Sequence, residues 1–400
     1  VTKRIMFVQA GNYAEAYKRF QVGGEENFYA QRYSVDYVAA LTERADVSEV
    51  VQVCLTEDLE EEVLPNGIRQ LGLNHWSAGA PARTDDLIAL VLAEAPTHLI
   101  SNSPITAMIR ATRKAGIDIL PLLADSFRTS SLKARLRFRW LAHNLSHRDI
   151  RWVSNHNTEA SFDLQRIGVP AKKIVPFDWP ALVKPEDFQV KTDAPCPEAP
   201  ALLYVGQVKH QKGVGDLIDA VAIAAKTAQP YHLTVIGSGD VEAFEAYAKE
   251  KGVARHVNFA GKMAHGEVLK CMHKSDVVLV PSHHEYPEGL PMTIYEGLCS
   301  RTPLVVSDHP MFSARLKDGR DCVMFPAKNA VALVEAINRL VNTPALYKSL
   351  SRDAAKTCDN FLICAPFGEL VDHWLGSTPA DDAWLAGHAL SADKWASDTK

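Results

Sequence analysis

Two glutamates eight residues apart, Glu288 and Glu296, stand in the stretch PSHHEYPEGLPMTIYEGLCSRTPLVVSD, residues 281–308, with Gly289, Pro291 and Thr293 between them. Proline suits the first turn of a helix, and the free N–H groups at that end, reinforced by the helix dipole, make a site for a diphosphate. Glu288 then belongs to the loop before the helix and Glu296 lies about two turns along it. The same residues have a plainer use, since Thr293-Ile294-Tyr295-Glu296 fits a capping box and glutamates are mostly surface charge. A second element, GQVKHQKG at residues 206–213, sets Lys212 beside Gly213 at a strand-to-helix turn. There an ammonium can meet a phosphate as a point charge without a metal, or simply lie solvated.

These residues must be placed by the elements around them. Strand-like apolar runs at Arg4–Gln9, Val50–Cys54, Thr97–Ser101, Asp118–Leu122 and Arg151–Ser154 alternate with helical patterns, which predicts a parallel sheet covered on both faces. Prolines 180, 185, 195, 197 and 200 then read as a linker. A second series follows, with strands at Leu202–Val205, Leu233–Ile236, Val257–Phe259, Val277–Val280, Leu304–Val306 and Cys322–Phe325. Helices are expected at Val214–Thr227, Val241–Lys251, Val331–Val341 and Leu346–Phe361, and the tail from Gly376 is rich in Ala, Asp and Ser. The expected fold is α/β, with two doubly wound Rossmann-like domains facing one another across a cleft. The expected boundaries are an N-terminal domain over 1–178, a linker over 179–200, a second domain over 201–361 and a C-terminal segment over 362–400 whose packing back onto the first domain is one option. Ligands of such sheets bind beyond the carboxyl ends of the strands, where Gly206, Gly237 and Gly239 let a bound group approach the backbone.

Composition narrows the class. A chain of 400 residues at 47% hydrophobic and 23% charged can bury large cores, which removes disordered and collagen-like architectures. With 43 Lys and Arg against 48 Asp and Glu the net charge is −5, so no overall positive field exists to hold a nucleic acid. Seven scattered cysteines without C-x-x-C spacing read as reduced thiols, not a disulfide framework or structural zinc. VTKRIMFVQ is too short for a signal-peptide core and no run approaches ~18 apolar residues, so a soluble, cytoplasmic protein is expected.

The pair G-x-x-x-x-x-K-G at Gly206–Gly213 and E-G-x-P-x-x-x-x-E at Glu288–Glu296, followed by TPLVVSD, resembles the donor-binding domain of family 4 retaining glycosyltransferases of the GT-B fold. The likeness spans residues 200–345 and extends more weakly to the first domain, where Gly23-Gly24-Glu25 is similar to the family's glycine-rich loop after the first strand. The resemblance implies that Glu288 faces the donor sugar, Glu296 holds the ribose hydroxyls and Lys212 meets the diphosphate. It further implies a phosphate cradle around Gly289, Leu290, Pro291, Met292 and Thr293, with Gly206, Gln207 and Gly237 lining the nucleotide pocket and Gly23 and Gly24 on the acceptor side. Two positions depart from the family. Gln207 stands where an arginine is usual, with Lys209, His210 or Arg301 as candidates to compensate. Asp125 stands where a histidine is common near the reacting sugar; a carboxylate there could bond sugar or acceptor hydroxyls, or cap a strand end.

The expected activity is metal-independent, retaining transfer from a UDP- or GDP-sugar to a hydroxyl of a saccharide, lipid-linked sugar or small molecule, in polysaccharide, lipopolysaccharide or glycolipid assembly. No cofactor or metal is expected, because no D-x-D pair follows a strand and His283 and His284, as neighbours on an extended loop, should point apart. A sugar-nucleotide epimerase or phosphorylase on the same plan, and a non-catalytic sugar-nucleotide binder, are the alternatives. Residues 128–151 carry Arg128, Lys133, Arg135, Arg137, Arg139, Arg148 and Arg151 against Asp149 alone, with Leu132, Leu136, Trp140, Leu141 and Leu145 at helical spacing. Such a helix either rests on anionic lipid at the inner face of a membrane or packs on its own sheet with its arginines solvated. His75-Trp76 reads as loop packing, with acceptor contact as the alternative.

Overall fold

The computed structural model describes residues 2–76, 81–128, 131–197, 199–227, 230–289, 291–361, 363, 365–392 and 395. The chain forms two compact units. Residues 1–24, 30–180 and 363–400 make the first, and residues 25–29 and 181–362 make the second.

The first unit is built on eight strands: β1 (Lys3–Gln9), β2 (Val47–Cys54), β3 (Glu62–Val63), β4 (Arg69–Gly72), β5 (His98–Ser101), β6 (Asp118–Leu123), β7 (Val153–His156) and β8 (Ile174–Phe177). Their spatial order is β3-β4-β2-β1-β5-β6-β7-β8, and only the short β3 pairs antiparallel. Alternate residues feed opposite faces. Ile5, Phe7, Ile100, Leu120 and Val175 enter one apolar cluster, while Met6, Val8, Leu99, Ile119 and Ile174 enter the other. The first cluster is completed from the chain's end, by Leu370, Val371, Trp374 and Leu385 on the helices Phe367–Gly376 and Pro379–His388.

The second unit carries six parallel strands, β9 (Ala201–Val205), β10 (His232–Ile236), β11 (Val257–Gly261), β12 (Val277–Val280), β13 (Leu304–Ser307) and β14 (Val323–Phe325), in the order β11-β10-β9-β12-β13-β14. From β9 the chain winds outward to β11, then returns to the other side of β9 to lay down β12. The loops after β9 and β12 therefore diverge at the point where the winding direction reverses, which is where sheets of this kind leave a crevice for ligands. One face is filled by Leu202, Tyr204, Leu233, Val235 and Leu279 under the helices Val214–Ala224 and Ala330–Val341.

The proline-rich stretch expected as a linker is instead packed into this unit from Ala181 on. Pro185 opens a short 3-10 turn, Pro185–Asp187, and is buried, and the Val183 carbonyl accepts from the Tyr295 hydroxyl at 3.1 Å. The five residues Glu25–Tyr29, expected within the first domain, also count with the second unit. Tyr29 is buried, and its hydroxyl accepts from the Leu182 N–H at 2.8 Å.

Candidate functional site

The turn after β9 and the loop after β12 meet on one edge of the second sheet. Their approach depends on glycine. Gly213 has φ +76°, and a Cβ there would collide with the Pro281 carbonyl; the His283 N–H donates to the Gln211 carbonyl at 2.9 Å just beside it. Gly237, after β10, has φ +146° and lies so close to the Gly206 carbonyl that no side chain fits. These glycines seat loop on loop, a structural use that stands beside the expected one of admitting a ligand to the backbone.

Within this edge the Lys212 ammonium and the Glu288 carboxylate form a direct ion pair, both side chains being largely buried. The Ser282 hydroxyl donates to the same Glu288 oxygen at 2.7 Å, and Ser282 is itself held through its carbonyl by the Ser307 hydroxyl at 2.6 Å. The Tyr286 ring lies 4.5 Å from the Lys212 ammonium, a cation–π contact, and its hydroxyl donates to the Gln207 side chain at 3.3 Å. Lys212 is therefore fixed from two sides, by a carboxylate and by an aromatic face.

The helix Met292–Cys299 follows at once, with Pro291 before its first turn and no side chain capping that end among the described residues. The Ile294 N–H donates to the Pro291 carbonyl at 2.9 Å, which leaves the amides of Met292 and Thr293 at this end, with the partial positive charge of a helix start. The capping-box alternative is not what forms here. The Thr293 hydroxyl donates to the Val205 carbonyl at 3.1 Å, tying the helix start to the end of β9. The Glu296 carboxylate, buried, faces His265, whose Nε2 lies 2.8 Å from it.

His265 opens the helix His265–Lys274 that follows β11 and has a second carboxylate on its other side, Glu26 at 3.7 Å from Nδ1. Burial pushes the imidazolium pKa down, but bonds to Glu26 and Glu296 outweigh it and raise it to about 9. At neutral pH His265 is thus a cation between two carboxylates. Its backbone N–H also donates to the Glu26 carbonyl at 2.8 Å, and Tyr29 meets its ring edge-on at 5.7 Å.

The expected donor residues Gly206, Gln207, Lys212, Gly237, Glu288, Gly289, Pro291, Met292, Thr293 and Glu296 all lie along this edge; Leu290 lies outside the described residues. Gln207 is exposed. Of the cations considered to replace the usual arginine, Arg301 is excluded: it is buried, its Nε donates to the Pro185 carbonyl at 2.9 Å and its Nη1 to the Arg352 carbonyl at 3.0 Å. Lys209 and His210 remain exposed in the turn itself. His283 and His284 do point apart, to Asp216 and Asp308 respectively.

Asp125 lies in the first unit, in the loop after β6, half-buried, and burial pushes its carboxyl pKa upward. Among the described residues its carboxylate has no hydrogen bond or ion pair, while its carbonyl accepts from the Asn155 side chain at 2.9 Å. Gly23 and Gly24 do not follow the first strand directly, because the helix Tyr13–Gln21 intervenes. Gly23, at φ +78°, donates its N–H to the Phe20 carbonyl at 3.1 Å, and Gly24 to the Arg19 carbonyl at 2.9 Å. That is a Schellman ending, so both glycines serve first to stop a helix. Sequence reasoning missed Ser282, Tyr286, His265 and Glu26. Of these only His265, a polar residue heading a helix directly after a strand, carried a usable signal.

The chain is similar to known proteins. Residues 188–357 match the family model for glycosyl transferases group 1. A curated relative, glycogen synthase of Mycobacterium tuberculosis, is 30% identical over 154 residues, covering 38% of this chain and 36% of the relative, so the match spans little more than a third of that protein's length. Among solved structures, sucrose-phosphate synthase from Thermosynechococcus elongatus superimposes with a TM-score of 0.66 at 17% identity over 94% of this chain and 100% of that one. Anabaena HepE in complex with UDP and glucose gives a TM-score of 0.64 at 13% identity, covering 94% of this chain and 100% of the other. Residues 188–357 are thus a glycosyl transferases group 1 region, of the family 4 type, and the α/β architecture of the chain is that of the GT-B glycosyltransferases.

Proposed function

We propose that this chain transfers a sugar from a nucleotide-sugar donor, UDP- or GDP-linked, to a hydroxyl acceptor, with retention at the anomeric carbon and without a metal. One observation carries the reading: an ammonium and a carboxylate, Lys212 and Glu288, are paired beside an uncapped helix start where the winding of the second sheet reverses. A sugar nucleotide leaves only if charge on the departing diphosphate is stabilised, and fixed donors in a low-dielectric site do this most effectively. Lys212 and the amides of Met292 and Thr293 supply that potential. When the diphosphate engages Lys212, the ion pair opens and Glu288 is released to orient the sugar and balance its oxocarbenium character. Glu296, held by His265, accepts from the ribose hydroxyls.

In the reaction the bond from the anomeric carbon to the phosphate oxygen breaks and a bond to the acceptor oxygen forms on the same face. The acceptor proton passes to the departing phosphate. Asp125, whose carboxyl is pushed up by burial, bonds sugar or acceptor hydroxyls. The relative named glycogen synthase and the structure holding UDP and glucose support a nucleotide-sugar donor and a saccharide acceptor. A thermal-shift panel of UDP, GDP, ADP and their sugar conjugates with EDTA present tests the reading. Stabilisation by one nucleotide series is expected, followed by nucleotide release only when an acceptor is added. Release without acceptor points to a hydrolase, a changed sugar still attached to the nucleotide with no net release points to an epimerase, and binding with no turnover over a broad acceptor panel points to a sugar-nucleotide sensor.

A further inference from the structure

The helix Leu132–Leu145 of the first unit, LKARLRFRWLAHNL, contains no acidic residue. Its core face is settled: Leu141, Ala142 and Leu145 are buried, and Phe138 meets Phe127 edge-on at 5.4 Å. The apolar set read from the sequence therefore splits in two. Leu141 and Leu145 pack inward, whereas Leu132, Leu136 and Trp140 remain 74%, 69% and 45% exposed. These three recur every fourth residue and so form one continuous stripe. At 3.6 residues per turn, Arg135 and Arg139 border one side of it and Lys133 and Arg137 the other. All four are exposed, and none is in an ion pair among the described residues. The other basic residues of this stretch are engaged, Arg128 with Asp163 at 2.9 Å, Arg148 with Asp149 at 3.5 Å and Arg151 with Asp118 at 2.9 Å.

We propose that this helix is a docking surface for an anionic lipid bilayer, lying in the plane of the headgroups with Leu132, Leu136 and Trp140 inserted and the four cations at phosphate level. Charge is what selects the occupant. On a chain of net charge −5, a cation-bordered apolar stripe without one carboxylate suits a negatively charged interface, and indole is the side chain best placed at such a boundary. Fourteen residues are too few to span a bilayer, so the helix lies on it, and no helix among the described residues is long and apolar enough to cross a membrane. The inference does not depend on the transfer reading.

Its test is co-sedimentation of the full chain with vesicles of phosphatidylcholine alone or mixed with phosphatidylglycerol, at low and high salt. Sedimentation with the anionic vesicles only, weakened by salt, is expected. Arg135→Gln with Arg139→Gln should weaken binding roughly 25-fold, about fivefold per cation. Leu136→Gln with Trp140→Gln should abolish binding while the protein stays folded, because Leu136 is largely and Trp140 nearly half in solvent. Bromolipid quenching that is present in the wild type and reduced in Trp140→Phe would locate the contact. Absence of binding to anionic vesicles, undiminished binding of the Leu136/Trp140 variant, or wild-type dimerisation abolished by that variant would each overturn the proposal, the last in favour of a second copy of the chain.

Discussion

Replacing Glu288 by glutamine separates the two roles assigned to the Lys212–Glu288 pair. In the free protein the ammonium is occupied by a buried carboxylate, so an incoming diphosphate must displace it. Lys212→Ala removes a charge-assisted bond to the diphosphate worth ~1.5–3 kcal/mol, which weakens nucleoside diphosphate binding by about 10- to 150-fold. Glu288→Gln keeps the ammonium and removes its charged competitor, so affinity should hold or tighten by up to about tenfold while turnover falls by at least about a hundredfold. Stability ranks the two variants in the same order. Lys212→Ala strands a buried carboxylate with Ser282 as its remaining side-chain partner, costing about 3 kcal/mol, or roughly 6–12 °C in Tm for a unit of this size. Glu288→Gln retains an acceptor for both Lys212 and Ser282 and should lose much less. Titration calorimetry with the nucleoside diphosphate, alongside melting curves, reads both quantities. If Glu288→Gln weakened binding as much as Lys212→Ala, the pair would be scaffolding and the exchange mechanism would be wrong.

Further expectations follow from neighbouring groups. His265, with its pKa raised to about 9 against ~6.5 unfolded, takes up a proton on folding between those values. Its contribution is therefore complete below about pH 6.5 and is lost as pH rises through about 9; melting temperature against pH should show this fall in the wild type and a flatter profile in His265→Gln. Gly237→Ala should prevent folding or cost several kcal/mol, since its Cβ meets the Gly206 carbonyl, whereas Gly266→Ala, with open space and a helical backbone, should gain ~0.5–1 kcal/mol in denaturant titration. Arg301→Ala should lower Tm by freeing the Pro185 and Arg352 carbonyls yet leave nucleotide affinity unchanged; a loss of diphosphate binding in folded protein would restore Arg301 to the site. Transfer measured with EDTA should match transfer without it.

Much of the framework is legible because strand alternation and glycine-marked turns are local signals. β9, β12 and β13 fall within a residue of the apolar runs Leu202–Val205, Val277–Val280 and Leu304–Val306, and their loops carry the Lys212 and Glu288 motifs. β8 escaped because Pro176 interrupts it, which is tolerated where β8 stands, at the end of the sheet order. The helix Pro379–His388 lies in the tail from Gly376, whose Ala, Asp and Ser content carries little apolar periodicity, and Phe367–Gly376 just before it went unassigned. The stretch around Pro185 read as a linker because proline density signals turns but says nothing of burial. Contacts between distant residues are the hardest to foresee. Glu296 with its capping-box spacing gives no hint of a histidine 31 residues earlier, and the Schellman use of Gly23 and Gly24 becomes visible only once the preceding helix is known.

The route of the chain has a consequence for biosynthesis. Trp374, with no exposed surface, and Leu370, Val371 and Leu385 fill a core whose other members, Ile5, Phe7 and Val50, leave the ribosome more than three hundred residues earlier. Nascent 1–180 must therefore wait with an apolar wound open while 181–362 emerges and folds, a holding period that invites chaperone capture. Expressed separately, 1–180 should aggregate unless 363–392 is supplied alongside it.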